Sequence, residues 1–227
     1  MKILGIETAT TVCSAALVAD GRVCAEETIE EQNVHAEMLM GLIDAALRRS
    51  ELAPKMLDAV AISIGPGSFT GLRIGLSVAK GLCFALDKPL VAVPTLDALA
   101  RRAGEANVVE TPYLVAALDA RRDEVYCALF RVNGRSTQRE GDVRDLTLSE
   151  LSAFVNDRAV TFTGNAAAKL LAHFGNAARF VPEPFAACRS SSVALIGEEM
   201  ARRGEFADVR TIEPAYIKEF HTTSKHR

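Results

Sequence analysis

The chain has 227 residues, 49% of them hydrophobic, with no Trp and few aromatics, so its core is built from Ala, Leu, Val and Ile. A formal net charge of −3 argues against nucleic-acid binding by this chain alone, which takes a basic face, so any nucleic-acid contact would be shared with a partner. No leader with a basic start and an apolar stretch opens the sequence, and no run of about 18 apolar residues occurs in it, so a soluble cytoplasmic protein is expected, neither secreted nor membrane-bound.

Residues 2–7, 11–19 and 22–29 read as three consecutive strands. Their turns are the polar Thr8–Thr11 stretch and Asp20-Gly21, a strong two-residue hairpin signal. Residues 35–49 read as a helix ending in Arg48-Arg49, which suits the negative end of the helix dipole. Pro54 and a strand at 59–64 follow. The run Val60-Ala61-Ile62-Ser63-Ile64 is apolar and rich in β-branched residues, as in a strand buried on both faces. Gly65-Pro66-Gly67 ends it, and Ser68 or Thr70 caps a helix at about 71–86. A strand at 89–93 and a helix at 95–102 complete the order β-β-β-α-β-α-β-α.

The second half starts the same way. Strands at 113–118 and 124–132 flank a turn at 119–123, and Asn133-Gly134 begins another hairpin. A helix at 147–156, a strand at 159–163 and helices at 165–173 and 190–203 complete a shorter lobe. The expected division is 1–104 and 105–227, with a mobile tail at 221–227.

The corner at 65–75 joins a buried strand to a helix N-terminus. Free N–H groups and the positive end of the dipole there point the same way, which makes a potential anion site. The corner lacks both the Gly-Lys-Ser/Thr ending of a P-loop and the spacing of a dinucleotide fingerprint, so a tight connection is the plainer reading.

The same residues carry a family resemblance. GPGSFTGLRIG (65–75) followed by AKGL (79–82) resembles the signature of the TsaB (YeaZ) family. ILGIETAT (3–10), HAE (35–37) and DARRDEVY (119–126) resemble further family motifs, and beyond them the likeness thins to Gly164-Asn165 and Pro214-Ala215-Tyr216. The resemblance implies an α/β fold with two actin-like lobes, as in sugar kinases and Hsp70. Each lobe is ribonuclease-H-like and the second is reduced. It also implies a non-catalytic subunit for making threonylcarbamoyladenosine in tRNA, partnered with the transferase TsaD and the ATPase TsaE. Such a subunit touches tRNA only through the complex and pairs with itself when alone. It carries no cofactor in isolation, and a nucleotide at the complex interface stays open. The rival is an independent enzyme, either an ATP-dependent phosphotransferase or a glycoprotease-like peptidase.

Several residues are candidates for chemistry. Glu7 and Thr8 end the first strand, where related ATP hydrolases place an acid near phosphates and metal; the bland alternative is a carboxylate capping its own Thr-rich turn. Asp119, beside Arg121 and Arg122, lacks the small-residue pair of a second phosphate loop. Gly164 resembles a reduced purine-supporting turn. Ser68 sits on a sharp turn without the G-x-S-x-G pattern, so no catalytic residue is assigned. By the resemblance, the His-x-x-x-His metal pair of TsaD falls here on Thr95 and Leu99, which cannot replace histidine ligands. His35, His173, His221 and His226 are scattered, and Cys13, Cys24, Cys83, Cys127 and Cys188 form no C-x-x-C pair, so no metal is expected. On the helix at 71–86, Leu72, Leu76, Ala79, Cys83 and Leu86 make one apolar stripe and Gly71, Gly75, Val78 and Leu82 a second; only Arg73, Ser77 and Lys80 interrupt. Either both stripes are buried within the chain, or the second meets a partner through His35, Met38, Leu42, Gly71, Gly75, Val78 and Leu82, as the resemblance implies.

Overall fold

A computed structural model describes residues 1–217; the tail expected at 221–227, with His221 and His226, lies outside the described residues. Two five-stranded sheets repeat one topology. In the first, β1 (Lys2–Glu7), β2 (Val12–Ala19) and β3 (Arg22–Glu30) form an antiparallel meander, and β4 (Ala59–Gly65) and β5 (Leu90–Pro94) add in parallel beyond β1, giving the order β3-β2-β1-β4-β5. The second sheet runs β8-β7-β6-β9-β10, from β6 (Tyr113–Asp119), β7 (Glu124–Asn133), β8 (Ser136–Thr147), β9 (Val160–Thr163) and β10 (Arg179–Phe180). This is the expected two-lobed α/β fold with ribonuclease-H-like lobes.

Local chemistry sets the elements. Asp20 and Gly21 both adopt positive φ, 48° and 75°, as a tight hairpin turn requires. All seven residues of β4 are buried because helices cover both faces of the sheet. On one face lie α1 (His35–Arg49) and α2 (Phe69–Leu86), whose Leu39, Ile43, Leu76, Ala79 and Cys83 pack with Leu4, Ile6, Leu17 and Ile62. α2 starts two residues earlier than the sequence suggests. Ser68 is its cap, accepting a hydrogen bond from Gly71 N at 3.2 Å.

Two differences from the sequence reading concern the second half. β8 is a twelve-residue strand that its polar composition concealed, and the two-residue β10 carries no periodicity. The last helices of the two halves, α3 (Thr95–Glu105) and α6 (Ser190–Arg202), also lie against the opposite sheets. Leu96, Leu99, Ala100 and Ala103 of α3 pack with Leu114, Ala116, Leu118 and Phe130. Val193, Ala194 and Ala201 of α6, from the segment assigned to the second lobe, pack with Ile3, Val18, Ala61 and Val93 of the first. The remaining helices, α4 (Leu148–Val155) and α5 (Ala167–Phe174), cover the outer face of the second sheet through Leu151, Val155 and Leu170.

Among the described residues, Phe69–Leu86 alone is long and apolar enough to cross a membrane. Its sheet-facing side explains that composition: Leu72, Leu76, Ala79 and Cys83 are buried in the first lobe.

Candidate functional site

The glycine corner is filled by the chain itself. Ser68 N donates to Ala9 O at 2.7 Å, and Gly71 N goes to Ser68 Oγ, so two of the N–H groups an anion would use already have partners. Gly71 and Gly75 press α2 onto the β1–β2 turn. A Cβ on Gly71 would stand 2.1 Å from Thr8 O, and one on Gly75 would stand 2.1 Å from Thr8 Oγ1. The two glycines therefore face inward, toward Thr8.

Glu7 lies fully buried beneath this contact. Its Oε1 accepts from Ala9 N at 2.5 Å, while Oε2 and the hydroxyls of Thr8 and Ser63 make no hydrogen bond. Burial lifts its carboxyl to about 7. The Ala9 bond and the nearby Ser63 hydroxyl and Thr8 N–H oppose that rise without cancelling it; Ser63 is close enough to act on the charge but not at hydrogen-bond geometry. An enclosed acid whose ionisation burial disfavours, and which turns an oxygen to its own β1–β2 turn, is poorly suited to hold a hydrated cation.

The cleft between the lobes is narrow. Thr10, Thr11 and Val12 from one side and Leu118, Gly164, Asn165 and Cys188 from the other enclose a cavity of about 60 Å³, against the several hundred that ligand pockets commonly offer. Gly164, at φ 110°, exists for close packing, since its Cβ would stand 2.1 Å from Ala117 O. Asp119 is engaged within its own lobe: Oδ1 pairs with Lys169 Nζ at 2.5 Å and accepts from Arg121 N at 2.8 Å. Of the four candidates only Gly164 lines this cavity; Glu7 and Thr8 are buried under the glycine corner, and the exposed Asp119 is held by Lys169 and its own turn.

The catalytic alternatives meet the same limit. Thr95 is buried and its Oγ1 accepts from Gly65 N at 3.0 Å, while Leu99 is in the core. Ser68 Oγ serves α2, and the nearest motif histidine, His35, points its Nε2 at the carbonyls of Thr10 and Val12, at 3.0 and 3.3 Å. Among the described residues no group of three His, Cys, Asp or Glu is arranged to hold a metal. Cys13, Cys83, Cys127 and Cys188 are buried free thiols and Cys24 is exposed. Burial pushes Cys13 and Cys83 up to about 11 and Cys127 to about 12, which makes them poor nucleophiles.

What the first lobe does present is the outer face of α1 and α2. Phe84 is 89% exposed and Met40 is 52% exposed, and the space above Gly41 and Gly81 is open. Arg73, Ser77 and Ala85 are exposed on the same helix as Phe84. Of the seven residues suggested by sequence for a partner surface, His35, Leu42, Gly71 and Gly75 are buried within the lobe, and Met38, Val78 and Leu82 are half-buried. Sequence reasoning passed over Phe84, yet a signal existed. Arg73, Ser77 and Lys80 mark the solvent side of α2, and position 84 continues their i, i+4, i+7 line.

A family model described as "TsaD: tRNA N6-adenosine threonylcarbamoyltransferase" matches residues 22–219. The chain belongs to that family. Within it, the similarity is to TsaB (YeaZ) members. A "tRNA threonylcarbamoyladenosine biosynthesis protein TsaB" from Haemophilus influenzae is 40% identical over 129 residues, which is 56% of this chain and 52% of that protein. The Bacillus subtilis protein of the same name is 28% identical over 96% of this chain and 94% of its own length. The match thus spans about half of the first relative and nearly all of the second. A Pseudomonas aeruginosa structure, described as an uncharacterized protein with similarity to peptidase YEAZ, superposes with a TM-score of 0.82 at 26% identity, covering 96% of this chain and 99% of that one. An ADPNP-bound activator of 2-hydroxyisocaproyl-CoA dehydratase from Clostridium difficile shares the fold alone, with a TM-score of 0.52 at 10% identity over 90% and 97% of the two chains. TsaB-like family members thus share the whole architecture, and the ADPNP-bound protein shares the fold.

Proposed function

We propose that this chain acts in tRNA threonylcarbamoyladenosine biosynthesis as a non-catalytic subunit that docks a TsaD-type transferase and holds it in a competent form. The observation that carries the reading is the contrast between two surfaces. Between Thr10–Val12 on one side and Leu118, Gly164 and Cys188 on the other, the inter-lobe cleft leaves a cavity of only about 60 Å³, while α1 and α2 expose Phe84 and Met40 beside the open backbones of Gly41 and Gly81. Apolar side chains next to glycines suit the close approach of another helix pair. The interface is assigned to this face, with Met38, Val78 and Leu82 on its flanks; the buried His35, Leu42, Gly71 and Gly75 support it from beneath. The two-lobed division, a cytoplasmic location, self-pairing of the free chain, an ATPase partner of the TsaE type and tRNA contact only within the complex belong to the same reading.

The test is co-purification of the tagged chain with the cell's own TsaD, with a Phe84→Asp variant as control. A stoichiometric complex for the natural chain and none for the variant supports the reading. Recovery of TsaD by both, or by neither, contradicts it. An enzyme of its own, the rival, predicts ATP or peptide turnover by the purified chain. The occupied Ser68 and the closed cleft give that rival no support.

A further inference from the structure

Resting on that reading, we infer that Arg73 is a pre-organised anchor for a carboxylate on the docked transferase, and that the C-terminal strap at 207–216 builds it. The strap runs along the first lobe. Ala207 N donates to Leu90 O at 2.8 Å, Val209 and Ile212 pack on the core, and Ala215 N donates to Ile64 O at 2.8 Å. It delivers Tyr216 to the first turn of α2, where the ring lies 5.3 Å from that of Phe69. Arg73 is clamped by this pair. Its guanidinium carbon sits 3.7 Å from the Phe69 ring centre, and its Nε donates to Tyr216 Oη at 2.9 Å.

An exposed arginine ordinarily loses several rotatable bonds' worth of freedom on binding. Stacking and one hydrogen bond have already fixed this one. Using Nε leaves the two terminal NH₂ groups as further donors, and among the described residues Arg73 forms no ion pair with a carboxylate. A planar cation with donors to spare fits a carboxylate, because both groups are forks. The surroundings select a protein over RNA. On the helix that carries Phe84, Arg73 shares the solvent-facing line with Ser77 and a single further cation, Lys80, whereas a phosphate backbone calls for several cations along a track. The occupant is thus a partner helix with an apolar face for Phe84 and an Asp or Glu opposite Arg73.

The experiment titrates purified TsaD from the same cell into the full chain and its variants at low and high salt, with melting temperature and self-association followed in parallel. Arg73→Met is expected to weaken binding about 30-fold and to flatten its salt dependence. Arg73→Lys, which keeps charge but loses the fork, is expected to weaken it about 10-fold, and Tyr216→Phe about 3-fold. Melting temperatures should stay within about 2 °C, since the side chain is exposed. If Arg73→Met binds within about twofold of the natural chain while Phe84→Asp does not bind, the anchor is wrong and the docking face stands. If neither change matters, the docking face itself is wrong. Loss confined to self-association, or to tRNA affinity of an intact complex, overturns the choice of occupant.

Discussion

Two glycines on one helix make opposite predictions. Gly71 and Gly81 both lie in α2, and each is replaced by alanine. At Gly81 nothing lies within 4 Å of the added methyl, so the change only improves helix propensity, by up to about 1 kcal/mol. At Gly71 the methyl meets Thr8 O at 2.1 Å, well inside the 3.4 Å at which ordinary van der Waals contact begins, and the obstacle is backbone that cannot rotate away. Ser68 N and Ala9 O tie the same turn to the corner, so relief requires α2 to move off its seat. Overpacking of that kind costs about 1–3 kcal/mol, more than the propensity gain. For a chain of this size about 1 kcal/mol corresponds to roughly 2–4 °C. Thermal unfolding followed by circular dichroism should therefore place Gly81→Ala about 2 °C above the natural chain and Gly71→Ala about 5 °C below it. If Gly71→Ala melts at or above the natural chain, α2 is not seated on Thr8, and its glycine stripe is open to a partner after all.

Glu7 should make stability fall as pH rises. Its carboxyl titrates near 7 when folded and near 4.5 when unfolded, so between those values the folded state holds the extra proton and stability declines, by about 3 kcal/mol in full. Urea denaturation from pH 4.5 to 8 should show this slope, and Glu7→Gln should remove it; equal slopes refute the burial argument. Val78→Asp, on the half-buried flank of α2, should cost about 1–2 kcal/mol and weaken TsaD binding, whereas Leu76→Asp, in the core, should cost about 3 kcal/mol or more. Thermal melts and pull-downs of the two variants check the contrast. ATP should bind the isolated chain no tighter than millimolar, about −4 kcal/mol, because the cleft cavity is about 60 Å³. A calorimetric titration giving micromolar affinity would show that the lobes part readily.

The elements legible in the sequence are those with local signals. Asp20-Gly21, the run from Val60 to Ile64 and the Ser68 cap each act within a few residues, and their strands and helix stand where expected. The glycine corner was legible as a corner but not in its orientation. Gly71 and Gly75 form a small-residue stripe whether it faces a partner helix or Thr8, and only the position of the β1–β2 turn decides between them. His35 was ambiguous for a like reason: its carbonyl partners at Thr10 and Val12 are more than twenty residues away in sequence. α6 shows a buried stripe but no sign of which sheet it will cover. Phe84 was readable, since it interrupts a polar line, yet an apolar residue in an apolar helix draws attention only once its exposure is known.

The central claim is that this chain enables a transferase without carrying out the transfer. Threonylcarbamoyl transfer to tRNA, reconstituted from purified components with each one omitted in turn, tests it most directly. The account predicts no product from this chain without TsaD, product from the complete mixture, and loss of most of that product when the chain is omitted or replaced by Phe84→Asp. Product formed by this chain in the absence of TsaD, or undiminished product in the absence of this chain, would contradict it.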